Sequence, residues 1–344
     1  MKGRWIIALG ALALMAASCA GGSAATTSGE PASGPSGVIR FTFAPDPVWR
    51  YLEDNGIKQE MEEESGIRVI AQTTWDEFGI YAGGFADVVS VGDFEVPSLD
   101  KQTGQKSVIF GKYNIDRSVV AVPASDTTSQ TLEDLKGKKI AVWDSVSSTL
   151  IWGVLAKKLH DLDFKTGGGD FELTQVDITN TGPVTAKGDV DGGLVLPDFS
   201  VKELMNNKLR VLYDGRPSAE VYGEMVGQPE HEGPMINVFL ARQDWYKEHP
   251  KEVAFFLKLW QRGIDEWQAH KADIIASYPQ DFAVETPEEV QWMQDYLNKH
   301  DWFVKSVYLT QDWVDAEQPL FKTMHEAGFM APDEEDPIFD IVSP

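Results

Sequence analysis

The sequence predicts an α/β fold built in two units. Strand, helix and strand alternate from residue 38 onward. The alternation restarts near residue 131. A length of 344 residues gives room for two domains of ordinary size.

In the first unit, Val38 to Ala44 (VIRFTFA) alternates β-branched and aromatic residues with polar ones and reads as a strand. Pro45 and Pro47 break it. Trp49 to Ser65 reads as one helix, with Trp49, Leu52, Ile57 and Met61 near helical spacing and Gly66 as its stop. Ile67 to Thr73 is the second strand. Ala86 to Val91 is short and almost wholly apolar, as in a parallel sheet covered on both faces. Lys106 to Pro123 holds two extended apolar stretches.

The second unit spans about 124 to 233. Thr131 to Lys138 is a short helix, Lys139 to Trp143 (KIAVW) a strand, Asp144 to Thr149 a polar turn, and Leu150 to Leu159 a helix. Further strands fall at Phe171–Asp177, Val190–Leu196 and Leu209–Tyr213, with a helix beginning at Val201. Gly167-Gly168-Gly169 follows a helix and reads as a loop. Asn237 to Ala241 is one more strand. Lys251 to His270 then places Val253, Phe256, Leu257, Trp260, Ile264 and Trp267 on one helical stripe. Thr286 caps Pro287 to His300, with Glu289 completing a capping box. Thr310 caps Gln311 to Ala327, which ends at Gly328.

Residues 1–18 read as a secretory signal, with Lys2 and Arg4 before the apolar stretch Trp5 to Ala17. Cys19, the only cysteine, sits at the expected cleavage point, and the layout resembles a bacterial lipoprotein signal in which that cysteine carries lipid. Ala16 departs from the usual Leu or Val. Residues 19–37, rich in Gly, Ser, Thr and Pro, read as a flexible tether. The expected location is extracytoplasmic, lipid-anchored to the cell membrane.

Fifty-four acidic residues against 30 basic ones give a formal charge of -24, which argues against a nucleic-acid partner. One cysteine excludes a disulfide framework and a cysteine-rich metal site. The six histidines show no HxxxH or HxH spacing, and no GxSxG, GxxxxGK[ST] or GxGxxG is present. No catalytic residue, cofactor or metal site is therefore expected.

Four stretches together resemble the periplasmic solute-binding proteins of ABC importers, in particular the sulfonate/nitrate/taurine-binding family and its thiamine-pyrimidine-precursor-binding relatives. They are Leu132 to Leu159 (LEDLKGKKIAVWDSVSSTLIWGVLAKKL), Gly84 to Val89 (GFADVV), Gly188 to Gly193 (GDVDGG) and Trp245 to Trp267 with HPKEVAFFLK. The resemblance covers roughly 38 to 340. It implies a type II periplasmic-binding fold, two lobes of mainly parallel sheet joined by two crossovers. Lobe one is placed at 38–122 plus 235–344 and lobe two at 123–234, with crossovers near Val122-Pro123 and Gly233-Pro234-Met235. It also implies a monomeric protein that captures a small polar or aromatic solute and delivers it to a membrane permease. The solute classes left open are a sulfonate, a nitrate-like anion and a pyrimidine or other heterocycle. The alternative is an enzyme on the same scaffold, such as a pyrimidine synthase-like protein.

In open α/β lobes, ligands sit beyond the carboxyl ends of the strands. That rule selects Asp46, Trp49, Trp75, Asp93, Trp143, Ser145, Ser147, Ser148, Thr149 and Asp198 as candidate ligand contacts. The serine-rich turn before a helix is suited to an anion. The tryptophans are suited to stacking on a planar ligand. Acidic loop residues, including Asp76 and Glu95, would favour a cation or ring N–H if two or more face the cleft.

Overall fold

The computed structural model describes residues 37–144 and 146–344. The signal segment, most of the tether, Cys19 and Ser145 lie outside them.

Two sheets carry the architecture. The first contains β1 (Gly37–Phe43), β2 (Ile67–Thr73), β3 (Val88–Val91), β4 (Ser107–Ile115), β12 (Met235–Arg242) and β13 (Ile338–Phe339), in the order β13-β4-β12-β3-β1-β2. The second contains β5 (Val119–Pro123), β6 (Lys139–Val142), β9 (Glu172–Gln175), β10 (Gly192–Val195) and β11 (Leu209–Val211), in the order β11-β5-β10-β6-β9. β7 (Phe164–Lys165) and β8 (Gly168–Gly169) form a separate small hairpin, so the expected glycine loop is partly paired. β1, β2 and β3 are mutually parallel, as are β6, β9 and β10, whereas β12 runs antiparallel to both β3 and β4.

The chain crosses from the first sheet to the second through residues 116–118 and returns between β11 and β12. Val122-Pro123, expected as a crossover, instead lies inside β5, where Val122 pairs with Arg210 and Pro123 with Leu209. Residues 119–123 are apolar enough to be buried in the second sheet, which draws the crossing back to the polar Asp116-Arg117-Ser118.

The first sheet's core follows from the pattern of its strands. Ile39, Phe41 and Phe43 all point to one side of β1 and pack with Trp49, Phe239, Phe256 and Trp260. Trp260 belongs to the helix Pro250–Ser277, whose predicted apolar stripe is buried along its length. Each such side chain contributes about 1.5–3 kcal/mol through removal from water. Gly263 of this helix lets the helix Pro47–Asp54 approach, because a Cβ there would meet Val48 Cγ1 at 2.8 Å. The predicted helix 49–65 is two helices, Pro47–Asp54 and Ile57–Ser65, because Gly56 takes a left-handed φ of 71°.

The second sheet has its own core around Trp152, Leu155, Phe164 and Tyr222. The helix Gln311–Ala327 adds Leu320, Phe321 and Met324 to this cluster, while β13 after it pairs with β4 of the first sheet. The Thr286 capping box is present, with the Thr286 hydroxyl accepting the Glu289 N–H at 3.2 Å. Among the described residues, no helix is long and apolar enough to cross a membrane.

Candidate functional site

A cavity of about 260 Å³ opens where the two sheets face each other. It is lined from the first sheet by Asp46 after β1, Trp75 and Glu77 after β2, Glu95 after β3, and Tyr113 and Asn114 at the end of β4. From the second sheet come Trp143, Asp144 and Ser147 after β6, Ile178 after β9, and Leu196 and Phe199 after β10. Ile236 and Asn237 enter from the start of β12, and Arg117 from the first crossover. The carboxyl-end rule therefore holds for both sheets. The antiparallel β12 obeys it in reverse, offering its amino end at the same edge.

Of the predicted contacts, Asp46, Trp75, Trp143 and Ser147 line this cavity. Trp75 is 75% exposed and Asp46 only 7%. Trp49, expected at the mouth, is in the first sheet's core between Phe43 and Trp260, because it sits on the inner face of a short helix. Asp93 is also withdrawn. It is fully buried, and its carboxylate accepts the N–H of Phe94 at 2.8 Å and of Met235 at 3.4 Å. Asp198 grips Arg117 through two bonds, at 2.8 and 3.2 Å.

The serine-rich turn is used largely for structure. Ser148 is fully buried and donates its hydroxyl to Asp116 at 2.5 Å, and Thr149 donates to the Asp144 carbonyl at 3.1 Å. The N–H groups of Thr149 and Leu150, which a helix start would offer to an anion, bond the carbonyls of Val146 and Ser147.

Charge in the cavity is lopsided. Burial pushes Asp46 up to about 7 even though the N–H groups of Val48 and Trp49 pull the other way. Burial also lifts Glu95 to about 7 and Asp144 to about 6, and raises Glu77. Among the described residues, Arg117 is the one basic residue in the lining, and its guanidinium is already held by Asp198 and lies 4.6 Å over the Trp302 ring. Sequence reading missed Glu77, Tyr113, Asn114, Arg117, Phe199 and Asn237. Tyr113 and Asn114 were findable as the carboxyl end of a strand. Asn237 was not, since its placement depends on the reversed direction of β12.

A larger groove, of about 480 Å³, follows the crossovers and is lined by Arg216, Glu220, His300 and Trp302 among others. It touches the carboxyl end of one strand only, at Ile115 of β4, and shares Arg117 with the smaller cavity. No three His, Cys, Asp or Glu among the described residues are placed to hold one metal ion.

Comparison with known proteins begins with a family model described as NMT1/THI5 like, which matches residues 98–274. The chain belongs to the NMT1/THI5-like family. Three of the stretches that carried the sequence resemblance, 132–159, 188–193 and 245–267, lie inside the matched region. No curated protein matches the chain. Among solved structures, the NMT1/THI5-like chain is similar to the periplasmic aliphatic sulphonate binding protein of Escherichia coli, with 16% identity over 89% of this chain and 93% of that one and a TM-score of 0.68. It is similar to the alkanesulfonate-binding protein of Xanthomonas axonopodis pv. citri bound to MOPS, at 15% identity over 88% and 96%, with a TM-score of 0.62. A Candida albicans protein described as exhibiting the generic periplasmic binding protein fold matches at 11% identity over 89% and 98%, with a TM-score of 0.58. These likenesses show the fold, a two-lobed periplasmic-binding architecture.

Proposed function

We propose that the chain is the extracytoplasmic solute-binding protein of an ABC importer. It captures a small solute in the cavity between its lobes, presents it to a permease, and performs no chemistry of its own. The observation that carries this reading is the cavity at the strand ends, walled by loops of both sheets. Its volume is that of roughly nine liquid waters, enough for a one-ring solute. The lobes are joined by the two crossovers, by the helix Gln311–Ala327, which packs Leu320, Phe321 and Met324 into the second sheet's core, and by polar contacts, among them Lys202 with Glu285 at 2.8 Å and His300 with Glu220 at 2.5 Å. A ligand touching both walls shifts the balance toward closure.

The test is a thermal-shift screen of the soluble domain over classes of small nutrient. A true ligand at about 100 times its dissociation constant adds about 2.7 kcal/mol and raises the melting temperature by several degrees. Turnover of a candidate without stabilisation supports the enzyme. Lipid attachment at Cys19 is tested separately: Cys19→Ser moves the protein from the membrane fraction to the soluble one.

A further inference from the structure

We propose that the solute is a compact organic cation carrying N–H donors. This rests on the solute-capture reading above and narrows it. The cavity presents four carboxylates from four different loops, Asp46, Glu77, Glu95 and Asp144. None has an ion-pair partner among the described residues, and the one basic residue in the wall is neutralised by Asp198.

The free acceptors are specific atoms. Asp46 Oδ1 takes the two N–H groups of the following helix, leaving Oδ2 of this nearly buried side chain without a hydrogen bond. Glu95 takes the Gly92 N–H on Oε2 at 2.8 Å, leaving Oε1. Glu77 Oε2 and Asn114 Oδ1 are buried with no partner. Buried acceptors without donors are costly and rare, so the wall is short of the N–H groups that a protonated nitrogen would bring. The donors that the helix start would give an anion are spent: the Ser148 and Thr149 hydroxyls and the Thr149 and Leu150 N–H groups all have partners inside the protein.

Aromatic residues complete the wall. Trp75, Trp143, Tyr113 and Phe199 all line the cavity, and ring faces attract organic cations. A bare metal ion is a poor fit because the carboxylates are not gathered around one point.

The experiment is calorimetry on the soluble domain with shape-matched pairs: benzamidine against benzoate, and cyclohexylamine against cyclohexanecarboxylate, with propane-1-sulfonate as a further anion. The expected result is that the cation of each pair binds at least about tenfold more tightly. That preference should shrink in Glu77→Gln and in Asp144→Asn, variants on opposite walls, each checked for an unchanged far-ultraviolet spectrum. Tighter binding of the anions, displaced by a second solute at the same cavity, overturns the cation assignment and leaves the solute-capture reading standing. Absence of binding by all five probes and by the whole nutrient screen overturns both.

Discussion

Ser148 donates its hydroxyl to Asp116 at 2.5 Å, tying the first turn of a second-lobe helix to the crossover that leaves the first lobe. Asp116 also accepts from Ser118 and from the Ser218 hydroxyl, and its own N–H reaches the Pro234 carbonyl on the return crossover at 2.9 Å. The two crossovers are thereby joined at one residue. Ser148→Ala leaves that carboxylate one donor short in a buried place and should cost about 1–2 kcal/mol in urea unfolding. Ser147→Ala, at the cavity wall, should leave the midpoint within about 0.5 kcal/mol of wild type. Equal costs for the two would mean that Ser148 is not part of a hinge tie.

Two tryptophans chosen for the same reason have different fates, and they separate by measurement. Trp75 is largely exposed at the cavity, so Trp75→Ala should weaken solute binding with little change in stability. Trp49 is 2% exposed within the aromatic cluster of Phe41, Phe43 and Trp260. Trp49→Ala opens a core cavity and should cost about 3–5 kcal/mol. Paired titration and unfolding curves decide both.

The fold was legible where one strand or helix carries its own signal. β2 was read to the residue, as was the helix Gln311–Ala327, because alternation, a Thr cap and a Gly stop are local. The two-lobed division was legible in the restart of the α/β pattern. The site was legible only as loops. Which loop side chain turns inward depends on helix phase, as with Trp49, or on whether a neighbour has already claimed it, as with Ser148, Asp93 and Asp198. The serine-rich turn shows the second case. Its hydroxyls are of the right type, but the partner of Ser148, Asp116, lies far away in sequence.

Glu317 gives a test in which burial is the largest effect. It is fully buried, 2.5 Å from His231, with Asp93 and Lys112 also acting on it, and burial pushes its carboxyl up to about 8. Burial holds His231 down at about 4, so the pair is neutral at pH 7. In the unfolded chain Glu317 ionises near 4.5, so the folded state binds the extra proton and its contribution to stability is lost as pH rises from there through 8. Glu317→Gln, which keeps the shape and a donor toward His231, should stay close to wild type at pH 5 and exceed it by roughly 3–4 kcal/mol at pH 8. Urea midpoints at the two pH values check this; a difference that does not grow with pH would show that Glu317 is ionised in the fold.

Solute binding should depend on pH through the cavity carboxylates. Asp46 and Glu95 are lifted to about 7 and Asp144 to about 6 by burial, so in the empty protein near pH 5.5 they are mostly protonated. A cation binds the ionised forms, and binding at low pH must first release those protons. Affinity for a cation that keeps its charge throughout, such as benzamidine, should therefore rise from pH 5.5 to pH 8, by about tenfold for each carboxylate unit that binding must deprotonate. Calorimetry in buffers of different ionisation enthalpy should register proton release at pH 6 and almost none at pH 8. An anion would show the opposite slope, binding better in acid, where the wall is least charged. A profile flat across this range would show that the solute does not meet these carboxylates at all.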